Sequence, residues 1–242
     1  MQIVRGRTYL EDGAIEPWQL SPSGRHLQAV DDYSWHLLAL DERARVFGCV
    51  RYLEHRNPTS FDALTLRTAA LALSDKWGSR VRAAVESEME KARRREQPYV
   101  EVGGWAISEE RRCTADAARL ALATFGLAKL FGGCLGVTTA TTRHHSSSIL
   151  RKIGGRPLEW DGAALPSYYD PQYRCEMEIL RFDSCNPGQR FSAWIEELEL
   201  SLLQTRVIWR GDGDLVSGTG VSSCLDAGLS SVLPELMGTT RV

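Results

Sequence analysis

The sequence lacks the features that mark several common protein classes. No run approaches the roughly eighteen apolar residues of a membrane-spanning helix, and the first residues contain no apolar signal segment. Basic and acidic residues nearly balance, at 29 and 31, so no overall field attracts nucleic acid or an anionic membrane. No CxxC pair and no histidine at metal-ligand spacing accompanies the six scattered cysteines, which are Cys49, Cys113, Cys134, Cys175, Cys185 and Cys224. We therefore expect a soluble cytoplasmic protein with reduced thiols and no metal site.

The length and composition predict one main domain. A chain of 242 residues with 43% hydrophobic content can bury one sizeable core. Beyond Trp209 the composition changes to RGDGDLVSGTGVSS, which has no sustained hydrophobic period. We therefore predict a domain over residues 1–205 and a flexible C-terminal tail over residues 206–242.

Hydrophobic periodicity predicts an alternation of strands and helices. Residues 34–41 and 45–55 read as an antiparallel hairpin, and Ser74 is placed to cap a long helix over residues 74–96. The later predicted elements are a strand at 98–107, a helix at 114–131, a strand at 134–141, a helix at 145–153, strands at GRPLEW and YRCEMEILRF, and a helix at 191–204. This order predicts an α/β (α+β) fold in which a mixed, mostly antiparallel sheet has helices on both faces.

The junction SEERRCTADA, between the strand at 98–107 and the next helix, has the composition of an anion site. The first turn of a helix presents N–H groups without partners and a partial positive charge. Ala115 and Ala117 are small enough for a phosphate to approach the backbone, and Arg111 and Arg112 add fixed charge. The same residues also fit an ordinary solvated helix start.

In this context, the pattern Arg112-x-x-Ala115-x-Ala117 resembles the R/Q-x-x-G-x-G/A loop of the Gcn5-related N-acetyltransferase superfamily. That loop follows the fourth strand and holds the pyrophosphate of coenzyme A. The segment SSSILRKIGGRPLEW is similar to the superfamily's next helix and strand, with Leu150 where a tyrosine acid is usual. The resemblance implies a splayed crevice for acyl-coenzyme A. It also implies donor contacts by Gly103, Trp105, Ile107, Arg111, Arg112, Cys113, Thr114, Ala115, Asp116, Ala117 and Ser147.

Motifs in the N-terminal half narrow the resemblance to one branch of that superfamily. Arg5-x-x-x-Tyr9, the Asp31-Asp32-Tyr33 cluster and Gly48-x-x-Arg51 are similar to motifs of acyl-homoserine-lactone synthases and long-chain N-acyl amino acid synthases. The resemblance implies an N-acyltransferase whose donor is a thioester of coenzyme A or of acyl carrier protein, and whose acceptor is a small primary amine. Arg51, Asp32 and Tyr169 are then candidates for contact with the acceptor. For Arg51, a structural pairing with the acidic cluster is the alternative.

Three residues are candidates for the chemistry. Glu101, on the strand before the junction, is the first choice of base, although a strand glutamate is often only solvent-facing. His144 opens a helix near the expected site, where it can be either a titrating group or a polar helix start. Tyr168 could replace the missing tyrosine acid or pack the base of its loop. The pair Gly103-Gly104 predicts a bulge that aims N–H groups at the thioester oxygen, or one that only relieves packing.

Two other readings of the sequence stay open. The loss of the usual tyrosine and glycine, together with Asp116, is compatible with a catalytically silent module that binds acyl-coenzyme A. An acetyltransferase restricted to acetyl-coenzyme A is the other alternative. The run Arg93 to Arg95 can be a solvated helix end or a dock for acyl carrier protein.

Overall fold

A computed structural model describes residues 1–210 and 215–220. Its helices are α1 (Gln2–Glu11), α2 (Ala70–Leu73), α3 (Gly78–Arg94), α4 (Ala115–Leu130), α5 (Ser146–Ile153) and α6 (Ser192–Gln204). Its strands are β1 (Trp35–Leu40), β2 (Val46–His55), β3 (Tyr99–Ile107), β4 (Leu135–Thr141), β5 (Arg156–Pro157), β6 (Glu159–Trp160), β7 (Ala163–Ala164), β8 (Tyr168–Asp170), β9 (Cys175–Asp183), β10 (Arg206–Arg210) and β11 (Leu215–Thr219). Short 3-10 turns connect several of these elements.

Seven strands form the main sheet, in the order β1-β2-β3-β4-β9-β5, with β8 also paired to β9. Only the β3–β4 pair is parallel, and the other pairs in this sheet are antiparallel. The predicted hairpin is confirmed, because β1 pairs with β2 from Trp35 opposite Tyr52 onwards. The mixed, mostly antiparallel sheet is therefore as the sequence predicts.

Helices cover both faces of the sheet, which is also as predicted. Successive residues of a strand point to opposite faces. Tyr99 of β3 packs in a core with α2 and α3, whereas its neighbour Val100 packs in a second core with α4 and α6. A third core joins α4 to α5 and α6 through Phe125, Ile153 and Ile195. Within the described residues, no helix is both long enough and apolar enough to cross a bilayer.

The predicted start of the long helix is wrong by four residues. Residues Ala70–Leu73 form a short helix of their own, and Ser74 follows its end instead of capping α3. The Ser74 hydroxyl accepts a hydrogen bond from the Trp77 N–H at 3.1 Å, which stabilises the turn between the two helices. Helix α3 then begins at Gly78, where a Cβ atom would lie 2.6 Å from the Ala72 carbonyl oxygen, so a side chain would prevent this close turn.

The segment GRPLEW does not form the single strand that was predicted. Its residues divide between β5, which pairs with β9, and β6, which pairs with β7. Pro157 has no N–H with which to extend the ladder, and Leu158, between the two strands, is fully buried. The segment DGAALPSYYDPQ, which links GRPLEW to YRCEMEILRF, contributes β8 to the sheet. In the C-terminal tail, β10 and β11 form an antiparallel hairpin, and the rest of the tail, residues 211–214 and 221–242, lies outside the described residues.

Candidate active site

Strands β3 and β4 separate part of the way along the sheet. They pair only from Tyr99 opposite Leu135 to Glu101 opposite Val137. Beyond this point, β3 continues along β2 to Ile107, and β4 continues along β9 to Thr141. A cavity of about 760 Å³ lies between the diverging strands and is lined by residues from both faces of the sheet. We call this cavity the crevice.

The predicted bulge in β3 lies at the edge of the crevice and is confirmed. Cys49 of β2 is opposite Ala106, whereas Arg51, two residues later, is opposite Gly103, so β3 contains one residue more than its partner. Gly104 has a φ of +60°, which is strained for a residue with a side chain. A Cβ atom at this position would lie 3.3 Å from Nη1 of Arg5. The bulge therefore depends on a glycine that lies directly against the side chain of a buried arginine.

The loop at the start of α4 contributes part of the predicted anion site to the crevice. Arg112, Cys113 and Ala117 line the crevice, as do Gly103, Trp105 and Ile107 of β3. The other predicted loop residues do not line it. These are Arg111, Thr114, Ala115 and Asp116. Two of them have local roles, because Thr114 Oγ1 caps α4 by accepting from the Asp116 N–H at 3.2 Å, and Arg111 lies 4.8 Å above the Phe47 ring.

Asp12, at the end of α1, connects the two loops at the mouth of the crevice. Its carboxylate lies 2.8 Å from Nη2 of Arg112 and 3.2 Å from Nε2 of His144. Arg143 donates to the Asp12 carbonyl oxygen. His144 lines the crevice, in a left-handed conformation with a φ of 53°. Ser147, in contrast, is buried outside the crevice, where it donates to Glu178.

Glu101 lines the crevice, but both of its carboxylate oxygens already accept hydrogen bonds. Oε1 accepts from the Thr65 hydroxyl at 2.7 Å and from the Leu66 N–H at 2.8 Å. Oε2 accepts from the Thr65 N–H at 2.8 Å and from His55 at 2.9 Å. Burial of Glu101 acts to raise its pKa, but these bonds outweigh burial and lower the pKa. Glu101 is thus an anchor for the crevice wall at residues 65–66, and its low pKa makes it a weak base.

The acidic cluster contributes Asp31, rather than Asp32, to a buried ion network. Asp31 accepts two hydrogen bonds from Arg5, at 2.5 and 2.8 Å, and lies 3.6 Å from Nη1 of Arg51. Arg51 lines the crevice and also donates to Gln28 at 2.5 Å. Asp32 is exposed and does not line the crevice. Two buried arginines therefore share one carboxylate, which leaves this end of the crevice positively charged.

Strand β8 adds Tyr168 to the crevice and turns Tyr169 away from it. Tyr168 is 7% exposed, whereas Tyr169 is 57% exposed and does not line the crevice. The Tyr168 hydroxyl is buried without a hydrogen-bond partner among the described residues, and burial raises its pKa. Asp170 and Tyr173 also line the crevice, although neither was among the residues selected from the sequence. The alternation of residues in a strand was the available signal, because it places Asp170 on the same side as Tyr168.

Comparison with known proteins finds distant structural similarities. The chain matches no protein-family model and no curated protein. It is similar to MesI, a CoA-dependent acyl-homoserine lactone synthase, with 14% identity, a TM-score of 0.49 and coverage of 83% of this chain and 84% of MesI. FeeM, an N-acyl amino acid synthase from uncultured soil microbes, has 10% identity, a TM-score of 0.47 and coverage of 75% and 87%.

A third similar structure is BjaI, another CoA-dependent acyl-homoserine lactone synthase, which was solved with SAM and isopentyl-CoA. Its identity is 16%, its TM-score is 0.47, and the match covers 82% of this chain and 81% of BjaI. These proteins are of the two kinds that the N-terminal motifs resemble. Because the similarities are distant, the function of the chain has to follow from its own crevice residues.

Proposed function

We propose that this protein is an N-acyltransferase that moves an acyl group from a thioester to the primary amine of a small acceptor such as an amino acid. The observation that carries the proposal is the crevice between β3 and β4. It joins the start of α4, where Arg112, Cys113 and Ala117 line it, to a buried charged pocket around Arg51. A thioester and an amine that entered from opposite faces of the sheet would meet at the bulge of β3.

The start of α4 is the proposed donor side. Ala117 is small, and the first N–H groups of a helix attract phosphate. Arg112 adds a positive charge that is paired with the carboxylate of Asp12. A phosphate group would therefore compete with Asp12 for this arginine. The donor's pantetheine arm would then follow the open edge of β3, which has no strand partner on the β4 side beyond Glu101.

Coenzyme A thioester is the donor to test first. In the run Arg93 to Arg95, Arg93 lies 2.7 Å from Glu90 and Arg95 lies 2.8 Å from Asp183. These ion pairs leave less free charge for an acidic carrier protein. Acyl carrier protein remains the alternative donor. The five described cysteines form no disulfide, and free thiols favour a reducing compartment such as the cytoplasm.

The chemistry requires a polarised carbonyl, a neutral amine and an acid for the departing thiolate. The open edge of β3 at the bulge can offer backbone N–H groups to the carbonyl oxygen. Leu150 lines the crevice and has no hydroxyl, so Tyr168 is our candidate for the acid. At the other end, Arg51 would bind the carboxylate of an amino acid acceptor, because a guanidinium matches a carboxylate with paired donors.

The test is product formation with donors of increasing chain length, from acetyl to decanoyl and longer, and a pool of primary amines. Mass spectrometry should detect an N-acyl product, and free thiol should be released in equal amount. We expect Arg112→Ala to raise the KM for the donor about tenfold, because one phosphate contact is lost. Arg111→Ala is the matched control, since this arginine does not line the crevice, and its KM should stay within about twofold of the wild type.

A silent module that binds acyl-coenzyme A is the second candidate, and the saturated carboxylate of Glu101 favours it. Heat of binding by calorimetry, without product from any donor and amine, would decide for this candidate. An acetyltransferase is the third. A higher kcat/KM with acetyl than with decanoyl donors would decide for it.

A further inference from the structure

Asp170 differs from Glu101 in having an unused carboxylate oxygen. Asp170 is 6% exposed and lines the crevice. Its Oδ1 accepts from the N–H groups of Gln172, at 2.9 Å, and Tyr173, at 3.3 Å, so the side chain is fixed by its own turn. Among the described residues, no group donates a hydrogen bond to Oδ2. A buried carboxylate in a cavity therefore has one oxygen available for a ligand.

Arg51 places a positive charge in the same crevice as Asp170. Burial raises the pKa of Tyr173, the negative charge of Asp170 raises it further, and the charges of Arg51 and Arg5 oppose this rise. Both a carboxylate and a guanidinium thus act on one half-buried tyrosine, and Asp170, Tyr173 and Arg51 all line the crevice. This arrangement of opposite charges suits an acceptor that carries both an ammonium and a carboxylate group.

We infer that Asp170 is a catalytic residue whose Oδ2 binds the ammonium group of the acceptor and removes its proton. The inference rests on the proposed acyl transfer and adds the base and the group that binds the ammonium of the acceptor. Asp170 can bind an ammonium group and Glu101 cannot, because the four donors around Glu101 occupy the positions that an ammonium would need.

The proton balance of the step is as follows. The acceptor R–NH₃⁺ gives one proton to Oδ2 of Asp170, which converts two charges in the crevice into two neutral groups. The nitrogen lone pair then forms a C–N bond with the thioester carbonyl carbon. The C–S bond breaks as the tetrahedral intermediate collapses. Tyr168 gives its proton to the departing thiolate and takes the second proton lost by the nitrogen, so Tyr168 ends unchanged. Asp170 finally releases its proton to water, so the products are an amide, a thiol and one proton.

The experiment compares two nucleophiles, an α-amino acid and hydroxylamine. Hydroxylamine is uncharged at neutral pH and needs no base to become nucleophilic, so it converts the bound thioester into a hydroxamate and a thiol. Asp170→Asn keeps an oxygen that can accept from the 172 and 173 N–H groups but removes the base. Glu101→Gln is the matched control, because it removes one carboxylate charge from the same crevice at nearly constant volume.

We expect Asp170→Asn to lower kcat for the amino acid by at least about 100-fold, the usual contribution of general-base catalysis. The rate with hydroxylamine, corrected for the uncatalysed reaction, should stay within about threefold of the wild type. Glu101→Gln should affect both nucleophiles alike, because it loosens the wall at residues 65–66. If Asp170→Asn does not fold, as judged by thermal unfolding, Asp170→Ser replaces it, since a serine hydroxyl can also accept from the turn.

Two results would overturn the inference while leaving acyl transfer intact. The first is an Asp170→Asn variant as active as the wild type with the amino acid. The second is the reversed pattern, in which only Glu101→Gln loses the amino acid reaction and retains the hydroxylamine reaction. A wild-type protein that forms no product with either nucleophile would instead refute the proposed function itself.

Discussion

Substitution of Asp31 by asparagine should strongly destabilise the protein. Asp31 is the shared partner of Arg5, which is fully buried, and of Arg51, which is 7% exposed. The variant removes the carboxylate that pairs with both arginines and leaves both guanidinium groups in the interior. Breaking a buried ion pair from one side costs about 3–5 kcal/mol in the free energy of unfolding. For a chain of this size, that corresponds to a fall in Tm of roughly 6–20 °C.

The pH dependence of stability gives an independent measure of the same network. Burial of Asp31 acts to raise its pKa, but the hydrogen bonds and charge of Arg5 outweigh burial and lower the pKa in the folded protein. Its contribution to stability is therefore complete above its unfolded pKa of about 3.9 and is lost as the pH falls through the folded pKa. The stability difference between the wild type and Asp31→Asn should be constant near neutral pH and shrink at acid pH.

Urea unfolding of the wild type, Asp31→Asn and Asp32→Asn, at several pH values, is the assay. Asp32 is the matched control, because it is adjacent in sequence and exposed. Its substitution should change the free energy of unfolding by less than about 0.5 kcal/mol. Equal effects of the two substitutions, or a loss below about 1 kcal/mol for Asp31→Asn, would refute the view that Asp31 balances two buried charges.

Two other predictions concern the crevice and the helix that begins beside it. Gly104→Ala and Gly13→Ala both place a side chain at a positive φ, and each should destabilise by about 1–2 kcal/mol. A Cβ atom at position 104 would lie against Arg5, whereas a Cβ atom at position 13 would project into open space. Only Gly104→Ala should therefore also lower the rate of acyl transfer. Equal rates in the two variants would show that the bulge has no role in the chemistry. Thr114→Ala removes the N-cap of α4 and should reduce the free energy of unfolding by about 1 kcal/mol, whereas an unchanged urea midpoint would contradict the capping role.

Local pattern was sufficient to predict most of the secondary structure. The hairpin of β1 and β2, strands β3 and β4 and helices α4, α5 and α6 follow directly from hydrophobic period, because each buries one face and the burial sets the spacing of apolar residues. The bulge at Gly103-Gly104 was also predictable, since paired glycines in a strand indicate an irregular backbone. The segment GRPLEW was not, because its pairing depends on strands far away in sequence.

Only the tertiary structure decided which side chains meet in the crevice. Nothing near Glu101 in sequence indicates that Thr65 and His55 saturate its carboxylate, as those partners are 36 and 46 residues away. Asp31 and Asp32 are adjacent residues of the same type, so the sequence does not distinguish their roles. The packing of α1 against β3 decides that Asp31 is the ion-pair partner, because only its carboxylate reaches Arg5. The sequence by itself determined the strand-loop-helix order that creates a crevice. Long-range contacts determined which charged groups line the crevice and how they are paired, because burial and hydrogen bonding depend on residues that only folding brings together.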